Sequence, residues 1–252
     1  MLHYYGDLTS EEIAEAARAD AILVLPAGCT EQQGPHLPVD VDSFLVTTLV
    51  SEAAGLAQQE DIRVYVLPTL PYGPAYEHMA FPGTISLTAE THARVVGEIL
   101  DSLVEHGFRR LVVAEGCGGH QLYHACLEAR ARARKQGKKV LVWRIPAGGE
   151  AWVPLLEKVF GERPLDIHAG EVATSILLYL RPEAVRREKL AKPDQKPFSG
   201  NLTWFAEELS DSGAAGDPRR ASAEAGRRLV DGIVHLCLEQ FRQIAATPIR
   251  DR

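Results

Sequence analysis

The sequence has no apolar run that approaches the roughly 20 residues a helix needs to cross a bilayer. It does not begin with a basic segment followed by an apolar one, so no secretory signal peptide is recognisable. Its four cysteines, Cys29, Cys117, Cys126 and Cys237, are scattered and form no CxxC pair. Such thiols are typical of a reducing compartment, so we expect a cytoplasmic protein that does not bind a membrane.

An excess of positive charge is also missing. The chain has 27 Lys and Arg against 34 Asp and Glu, which gives a formal net charge of −7. This balance argues against nucleic acid or an anionic membrane surface as a partner. We see no internal repeat and no low-complexity tract, and we expect the ligand to be a small molecule.

The length and the apolar content favour a single α/β domain. The chain has 252 residues, 46% of them hydrophobic, which is enough for one sizeable core. Apolar runs at 21–25, 62–67, 111–114 and 138–145 predict strands, with a further short strand possible at 85–87, and helical patterns alternate with them. The predicted helices cover 10–18, 43–58, 88–106, 121–135, 153–160, 176–180 and 221–244.

Alternating strands and helices predict three layers, in which helices cover both faces of a mostly parallel sheet. We expect this domain to span residues 1–252. The segment 186–219 is polar and rich in Lys, Pro, Gly and Ser, and it is predicted to form a long loop or flap.

The most informative stretch is the irregular segment 25–42, which follows the first predicted strand. Glycines and prolines at 28, 34, 35 and 38 exclude a regular helix or strand there. The segment is dense in potential metal ligands, namely Glu31, Gln33, His36, Asp40 and Asp42. Carboxylate and imidazole donors suit Zn, Mn, Mg or Fe, although a polar surface loop would have the same composition.

Three other loops carry most of the remaining polar residues of interest, and they span 72–84, 115–120 and 166–171. In a parallel sheet, loops that follow strands meet at the carboxyl edge, where ligands bind. Glu31 and Asp42 are the best ligand candidates, because a buried carboxylate needs a cation or hydrogen-bond donors to offset its desolvation.

The block 115–120 is rich in glycine, as a sharp turn between strand and helix requires. Its Cys117 has three possible roles: a metal ligand, a nucleophile or a small residue of the turn. His120 and His124 are four residues apart, so a helix would place both on one face. Amides of the turn could stabilise an oxyanion. In the last loop His168 is a candidate general acid or base.

Several ordered motifs resemble the creatininase (creatinine amidohydrolase) family. The segment from Thr30 to Pro38, followed by Asp42, is similar to the signature T-E-Q-H-G-P-H-L-P plus Asp. The segment 77–86 matches a second block, and 115–120 lies where the family has N-G-H-G-G-N. The segment 168–175 resembles H-A-G-E-x-E-T-S, and Gly216-Asp-Pro resembles a closing block.

The resemblance implies an α/β domain with one or two metals at the carboxyl edge, and a homo-oligomer, a hexamer or smaller. Known activities of the family include opening of cyclic amides, deformylation, and cleavage of peptide termini. By resemblance, Glu31 is a ligand of one metal and Asp42 bridges two. Glu171 is an acidic ligand or a catalytic group, and His168 supports the metal or transfers protons.

The departures from the family pattern concern the ligands. Gln33 and Cys117 replace two ligand histidines, Glu115 and His120 replace two asparagines, and Ala173 replaces a glutamate. An amide oxygen binds metal weakly, whereas a thiolate is a soft ligand that favours Zn over Mn or Mg. Possible additional ligands are Gln33, His36, Glu115 and His120.

Three interpretations follow, and we favour the first. It is a hydrolase of a small cyclic amide or formamide, with a metal on Glu31, Asp42 and Cys117, helped by Glu171 or His120. Zn²⁺ is the expected metal, with Mn or Fe as alternatives. In the second, Cys117 is the nucleophile of an enzyme with altered chemistry. In the third, the chain is a metal-depleted homologue that binds a small molecule or a partner without catalysis.

Overall fold

The structure is a computed structural model that describes residues 3–148, 151–161, 166, 168–197 and 203–249. Four strands lie in the described residues: β1 (Ile22–Ala27), β2 (Val64–Val66), β3 (Arg110–Glu115) and β4 (Leu141–Ile145). The helices are α1 (Ser10–Arg18), α2 (Val41–Gln59), α3 (Ala89–Glu105), α4 (Tyr123–Lys135), α5 (Val153–Phe160), α6 (Glu171–Leu180), α7 (Ala206–Leu209) and α8 (Ala223–Ala246).

The four strands form one sheet in the order β2-β1-β3-β4, and every neighbouring pair is parallel. Central strand β1 pairs Ile22 with Val64 on one side and with Arg110 on the other. Because all strands run the same way, their carboxyl ends lie at one edge of the sheet. The loops after β1, β2 and β3 therefore start from this edge.

Alternate side chains of β1 enter two different hydrophobic clusters, one on each face of the sheet. Ile22 and Val24 pack with residues of α2, α6 and α8. Leu23 and Leu25 pack with residues of α1, α3 and α4. A strand that is apolar on both faces is expected where helices cover both faces. The prediction of a three-layer α/β fold with a parallel sheet is thus confirmed.

Several boundaries differ from the predicted ones, and α6 differs most. It begins at Glu171 rather than at 176, because the carboxylate of Asp166 accepts the Val172 amide at 2.7 Å and caps the first turn. Strand β4 begins at Leu141 rather than at 138, since the Lys138 amide still bonds Ala133 at the end of α4. The predicted strand at 85–87 is reduced to a bridge between Ile85 and Thr30.

The described parts of the predicted flap are ordered rather than uniformly irregular; residues 198–202 lie outside the described ranges. Short 3₁₀ helices and α7 interrupt this segment. Asp194 accepts hydrogen bonds from Ser210 and Ser212, and Trp204 meets the edge of the His78 ring. In the described part of the chain, we find no helix long and apolar enough to span a membrane.

Candidate metal centre

A cavity of about 310 Å³ opens at the carboxyl edge of the sheet. Its polar end is formed by Glu31, Asp42, Cys117, Asp166 and His168. Its deep end is apolar and lies between α2, α5, α6 and α8, where the wall is formed by Leu45, Val46, Leu49, Val50, Trp152, Leu156, Ile176 and Ile233. The cavity therefore joins a group of acidic side chains to a hydrophobic recess.

The close approach of two loops brings Cys117 to the acidic end. The Gly116 amide donates to the carbonyl of Ala27 at 2.7 Å. A Cβ atom on Gly116 would lie 2.7 Å from the carbonyl oxygen of Asp42, which is shorter than real Cβ contacts. Glycine is thus required at this position for β3 to deliver Cys117 beside α2.

Four acidic or thiol groups gather at this point. Cys29, Glu31, Asp42 and Cys117 each offer one ligand atom, and these atoms lie within 4.8 Å of one another. The thiol of Cys117 lies 3.8 and 3.9 Å from the two carboxylate oxygens of Glu31. The sequence prediction that Glu31, Asp42 and Cys117 come together agrees with this geometry.

The environment of this cluster disfavours negative charge. Burial, together with the neighbouring Asp42 and Cys117, raises the pKa of Glu31 well above its usual value. Burial raises the pKa of Asp42 to about 7. Interaction with the Cys117 thiol, together with burial, raises the pKa of Cys29. A divalent cation in the cluster would offset this repulsion, because opposite charge favours the ionised forms.

Glu31 also contacts two stacked imidazoles. Nε2 of His78 and Nδ1 of His168 each lie 3.7 Å from Oε1 of Glu31, and the two ring centroids are 4.2 Å apart. We refer to Glu31, His78 and His168 as the histidine wall. His168 lines the cavity, and its Nδ1 faces Glu31.

Gln32 holds both imidazoles of the histidine wall. Its backbone carbonyl accepts from Nε2 of His168 at 2.7 Å, which places the hydrogen on Nε2 and leaves Nδ1 as an acceptor. Its side-chain amide donates to Nδ1 of His78 at 2.8 Å and to the carbonyl of Gly213 at 2.9 Å. Burial lowers the pKa of His78 to about 3 and that of His168 to about 4, so both are neutral at pH 7.

Cys29, Cys117 and His120 form a further group of potential ligands within 4.8 Å, which we refer to as the thiol wall. Sγ of Cys29 lies 3.0 Å from Nε2 of His120. His92 follows behind, with its ring centroid 4.7 Å from that of His120. Among the described residues, Nδ1 of His120 and both ring nitrogens of His92 are buried without a hydrogen-bond partner.

Other predicted site residues are bound elsewhere. Glu115 forms a two-pronged ion pair with Arg144, with N–O distances of 2.6 and 2.8 Å. Nε2 of His36 lies 2.9 Å from the hydroxyl of Thr174. Gln33 donates its amide to both Asp42 oxygens at 3.3 Å, so it orients a carboxylate rather than offering its own oxygen.

Glu171 and His124 also differ from expectation. Glu171 is buried at the start of α6 but belongs to none of the three candidate ligand groups found among the described residues, since His168, three residues earlier, is the residue this loop presents to Glu31. His120 precedes α4 and is buried, whereas His124 lies on α4 and is exposed, so the two do not share a helix face.

The expected oxyanion role of the turn is only partly possible, because some of its amides are already bonded. The Gly116 amide donates to Ala27, and the Gly119 amide lies 3.4 Å from the Cys117 sulfur. The His120 amide donates to the Cys117 carbonyl at 3.3 Å.

Sequence reasoning missed Cys29, Gln32 and His92. Cys29 directly precedes the Thr30 signature, and that adjacency was the available signal. The role of Gln32 depends on a contact with Gly213, which is 181 residues distant in the chain, so no local pattern could indicate it.

Comparison with known proteins gives a consistent assignment. The family model described as creatinine amidohydrolase matches residues 6–241. The chain is 31% identical over 260 residues to the mycofactocin precursor peptide peptidase of Mycobacterium tuberculosis (strain ATCC 25618 / H37Rv), covering 96% of this chain and 93% of that protein. It is also 31% identical over 264 residues to the creatinine amidohydrolase of Pseudomonas putida, covering 94% and 97%.

Solved structures support the same assignment. A crystal structure of creatinine amidohydrolase superposes with a TM-score of 0.86 at 25% identity, covering 98% of this chain and 99% of that one. A creatininase variant described as Zn-Zn type superposes with a TM-score of 0.84 at 25% identity, covering 96% and 98%. A creatininase described with Mn gives 0.85 at 25% identity, with the same coverage.

Proposed function

This chain belongs to the creatininase family, and we propose that it is a metal-dependent hydrolase of an amide C–N bond. The observation that carries the proposal is the convergence of Glu31, Asp42 and Cys117 at the polar end of the cavity, with their ligand atoms within 4.8 Å together with that of Cys29. A relative named as a peptidase and one named as a creatinine amidohydrolase are each 31% identical to the chain. Family membership therefore indicates the type of bond that is cleaved but does not identify the substrate.

The donor set fits a divalent cation. Two carboxylates and a thiol offer three anionic ligands, and tetrahedral zinc with bonds of about 2.3 Å to sulfur and about 2.1 Å to oxygen spaces such atoms about 3.6 Å apart. The observed Cys117–Glu31 distances of 3.8 and 3.9 Å are close to that spacing. A bound cation would polarise the scissile carbonyl and make water a better nucleophile. The soft sulfur favours Zn²⁺ over Mn²⁺ or Mg²⁺.

His168 is the proposed proton acceptor and donor. Its Nε2 hydrogen is committed to the Gln32 carbonyl, so Nδ1 keeps a lone pair beside Glu31 and the cavity. Burial lowers the pKa of His168 to about 4, so Nδ1 is unprotonated at neutral pH, which is the form a proton acceptor requires. His78 lies 3.7 Å from the same Oε1 atom of Glu31 and stacks on His168, and it therefore positions both groups.

The proposed substrate has a small nitrogenous amide, cyclic or formylated, attached to an apolar group. The amide end would lie beside Glu31 and Asp42. The apolar group would occupy the recess formed by Leu49, Ile176 and Ile233, because a hydrophobic recess gains affinity from apolar surface removed from water. A second candidate is a peptide with an apolar terminal residue, which the same recess favours.

The test is a hydrolysis assay with metal-reconstituted protein on three substrate types: a cyclic amide, an N-formyl heteroaromatic amine and short peptides with an apolar terminus. We expect turnover of at least one type, lost on chelation and in Glu31→Gln and Asp42→Asn. Glu52→Gln is the matched control, since Glu52 is exposed on the same helix as Asp42. Turnover that survives chelation and both substitutions would remove the proposal. The homo-oligomer, the cytoplasmic location and the identity of the metal stay predictions.

A further inference from the structure

The thiol wall has features that the proposed hydrolytic site does not explain. Its three side chains come from the loop after β1 (Cys29) and from the turn after β3 (Cys117 and His120). Cys29 and His120 are buried, and their Sγ and Nε2 atoms are 3.0 Å apart. Two sulfurs and one imidazole nitrogen within 4.8 Å are a soft donor set, which suits zinc better than magnesium or manganese.

The spacing of these atoms is near that of a zinc site. Bonds of about 2.3 Å to sulfur and about 2.0 Å to nitrogen separate the two donors by about 3.5 Å in a tetrahedron. The present Cys29–His120 distance of 3.0 Å is that of a thiol–imidazole hydrogen bond. Opening the pair by about 0.5 Å would admit the ion. Two thiolates and one histidine with an open fourth position is also a donor set that catalytic zinc uses.

Among the described residues, buried imidazole nitrogens without hydrogen-bond partners next to the thiol wall also favour a binding role for it. Nδ1 of His120 and both nitrogens of His92 have no partner, although His120 is only 4% exposed and His92 is fully buried. Buried polar atoms are nearly always hydrogen-bonded, so these nitrogens call for a partner such as a water or a hydrogen shared between the two rings. A cation on Nε2 of His120 would fix its hydrogen on Nδ1, next to the His92 ring.

A glycine allows the Cys29–His120 pair to pack against the chain at residue 73. A Cβ atom on Gly73 would collide with Nε2 of His120 and would lie 3.2 Å from Sγ of Cys29. Gly73 is itself buried, and the absence of its side chain provides the room that the His120 imidazole occupies beside Cys29. Alanine at this position would fill that room without removing any donor.

Charge also favours a cation here. When ionised, Cys29, Cys117, Glu31 and Asp42 would place four negative charges within one small volume. One divalent cation leaves two of these charges uncompensated, whereas two divalent cations balance them. Uncompensated buried charge is strongly destabilising, so cations bound at both places would stabilise the ionised cluster.

We propose that Cys29, Cys117 and His120 form a second cation site, which takes Zn²⁺ and shares Cys117 with the carboxylate site. The inference depends on the proposed function only because the two sites share Cys117. His92 is a positioning residue for His120. In this chain the thiol wall supplies ligands that the substituted family histidines no longer supply.

The test uses full-length protein purified under reducing conditions and stripped of metal. Equivalents of bound zinc are measured by titration against a chromophoric chelator. Cobalt is then substituted for zinc, and sulfur-to-cobalt charge-transfer absorption in the near ultraviolet counts the thiolate ligands. We expect two equivalents in the wild type. Cys29→Ser and His120→Asn lose one equivalent, with its dissociation constant raised about 100-fold or more.

Three further variants separate the sites. Gly73→Ala should lose the same equivalent while every donor is retained. The double variant Glu31→Gln, Asp42→Asn should keep one cobalt with strong charge-transfer absorption and lose the other. Cys126→Ala is the control, since Cys126 is a buried cysteine on α4 outside all candidate groups, and it should bind as the wild type does.

Unchanged equivalents and unchanged cobalt absorption in both Cys29→Ser and His120→Asn would overturn the inference. The thiol wall would then be a hydrogen-bonded pair, and the hydrolytic proposal would stand on Glu31, Asp42 and Cys117 alone. Two bound equivalents with the expected losses, but no turnover of any tested amide, would instead overturn the proposed function and leave the second site in place.

Discussion

The histidine wall and the thiol wall each share residues with the same acidic cluster, and they differ in how many ring nitrogens of their imidazoles have hydrogen-bond partners. In the first, Gln32 bonds one nitrogen of His78 and one of His168, and the remaining nitrogens face Glu31. In the second, counted together with the His92 ring behind it, three of the four nitrogens of His92 and His120 have no hydrogen-bond partner among the described residues.

This difference separates what the chain organises by itself from what it leaves for a ligand. Imidazoles held by hydrogen bonds have a fixed tautomer and direction before anything binds, as proton transfer requires. Imidazoles without partners are costly to bury, and a cation or a new hydrogen bond offsets that cost. We therefore assign proton chemistry to the histidine wall and cation binding to the thiol wall.

The largest effect is expected from Cys117, the proposed ligand that the carboxylate site and the thiol-wall site share. Cys117→Ser should lower kcat/KM and metal affinity together by about 100-fold or more, because a hydroxyl is a much weaker ligand than a thiolate. Activity and bound metal are measured on the same sample. Loss of all activity with the metal fully retained would indicate instead that Cys117 is a nucleophile.

The next largest effect is expected from substitution of Gln32, whose hydrogen bonds hold the imidazoles of the histidine wall in position. Gln32→Ala leaves unpaired the His78 nitrogen, the Gly213 carbonyl and the Gly34 amide that Gln32 now bonds. We expect a loss of about 2–3 kcal/mol in the free energy of unfolding, measured in urea. Gln59→Ala, at an exposed position of α2, should change it by less than about 0.5 kcal/mol. Equal effects of the two substitutions would contradict the role of Gln32.

A third prediction concerns pH and His36, which ties the first loop to α6 through Thr174. Burial lowers the pKa of His36 to about 4 in the fold, against about 6.5 when unfolded. The stability from neutral His36 is thus full above pH 6.5 and is lost as pH falls toward 4. Relative to His36→Gln, the wild type should lose roughly 1–3 kcal/mol of unfolding free energy across that window. A difference between the two proteins that does not vary with pH would exclude this explanation.

A smaller effect should follow from His92, and it should have opposite signs with and without metal. In metal-free protein, His92→Phe removes two unpaired buried nitrogens and should raise the free energy of unfolding by about 1 kcal/mol. In zinc-loaded protein it should weaken the thiol-wall equivalent by about 10-fold, as for other residues that orient a ligand. Thermal unfolding measures the change in stability of the metal-free protein, and zinc titration measures the change in affinity. A variant that binds zinc as tightly as the wild type would show that His92 does not position His120.

No effect is expected from His124, the exposed histidine four residues beyond His120. His124→Ala should bind metal and unfold as the wild type does, whereas His120→Asn should not. A loss of metal in His124→Ala would mean that the two histidines act together as the helical spacing predicted.

The acidic cluster was predictable because Glu31, Asp42 and Cys117 all follow buried strands or the loops at their carboxyl ends. A parallel sheet brings such loops to one edge whatever their detailed shape. The thiol wall was not predictable to the same degree. Cys29 faces His120 only because the chain at Gly73 passes beside both, and that contact is set by tertiary packing.

The position of Glu171 shows a limit of motif transfer. The H-A-G-E block was recognised, but Asp166, which lies before the block, caps α6 and fixes where the helix starts. A helix that starts at Glu171 presents His168 to the cavity and leaves Glu171 outside the candidate ligand groups. The spacing of apolar residues predicted that this helix starts at 176, five residues after the observed start. The difference arises because the first turn is stabilised by a cap and not by apolar packing.

The central claim is that Glu31, Asp42 and Cys117 hold a divalent cation. It is tested most directly by metal analysis of protein purified without chelator, beside Glu31→Ala and Asp42→Ala variants prepared in the same way. The account predicts at least one tightly bound equivalent in the wild type and a loss of at least one equivalent in each variant. Substoichiometric metal in the wild type that neither substitution changes would contradict it.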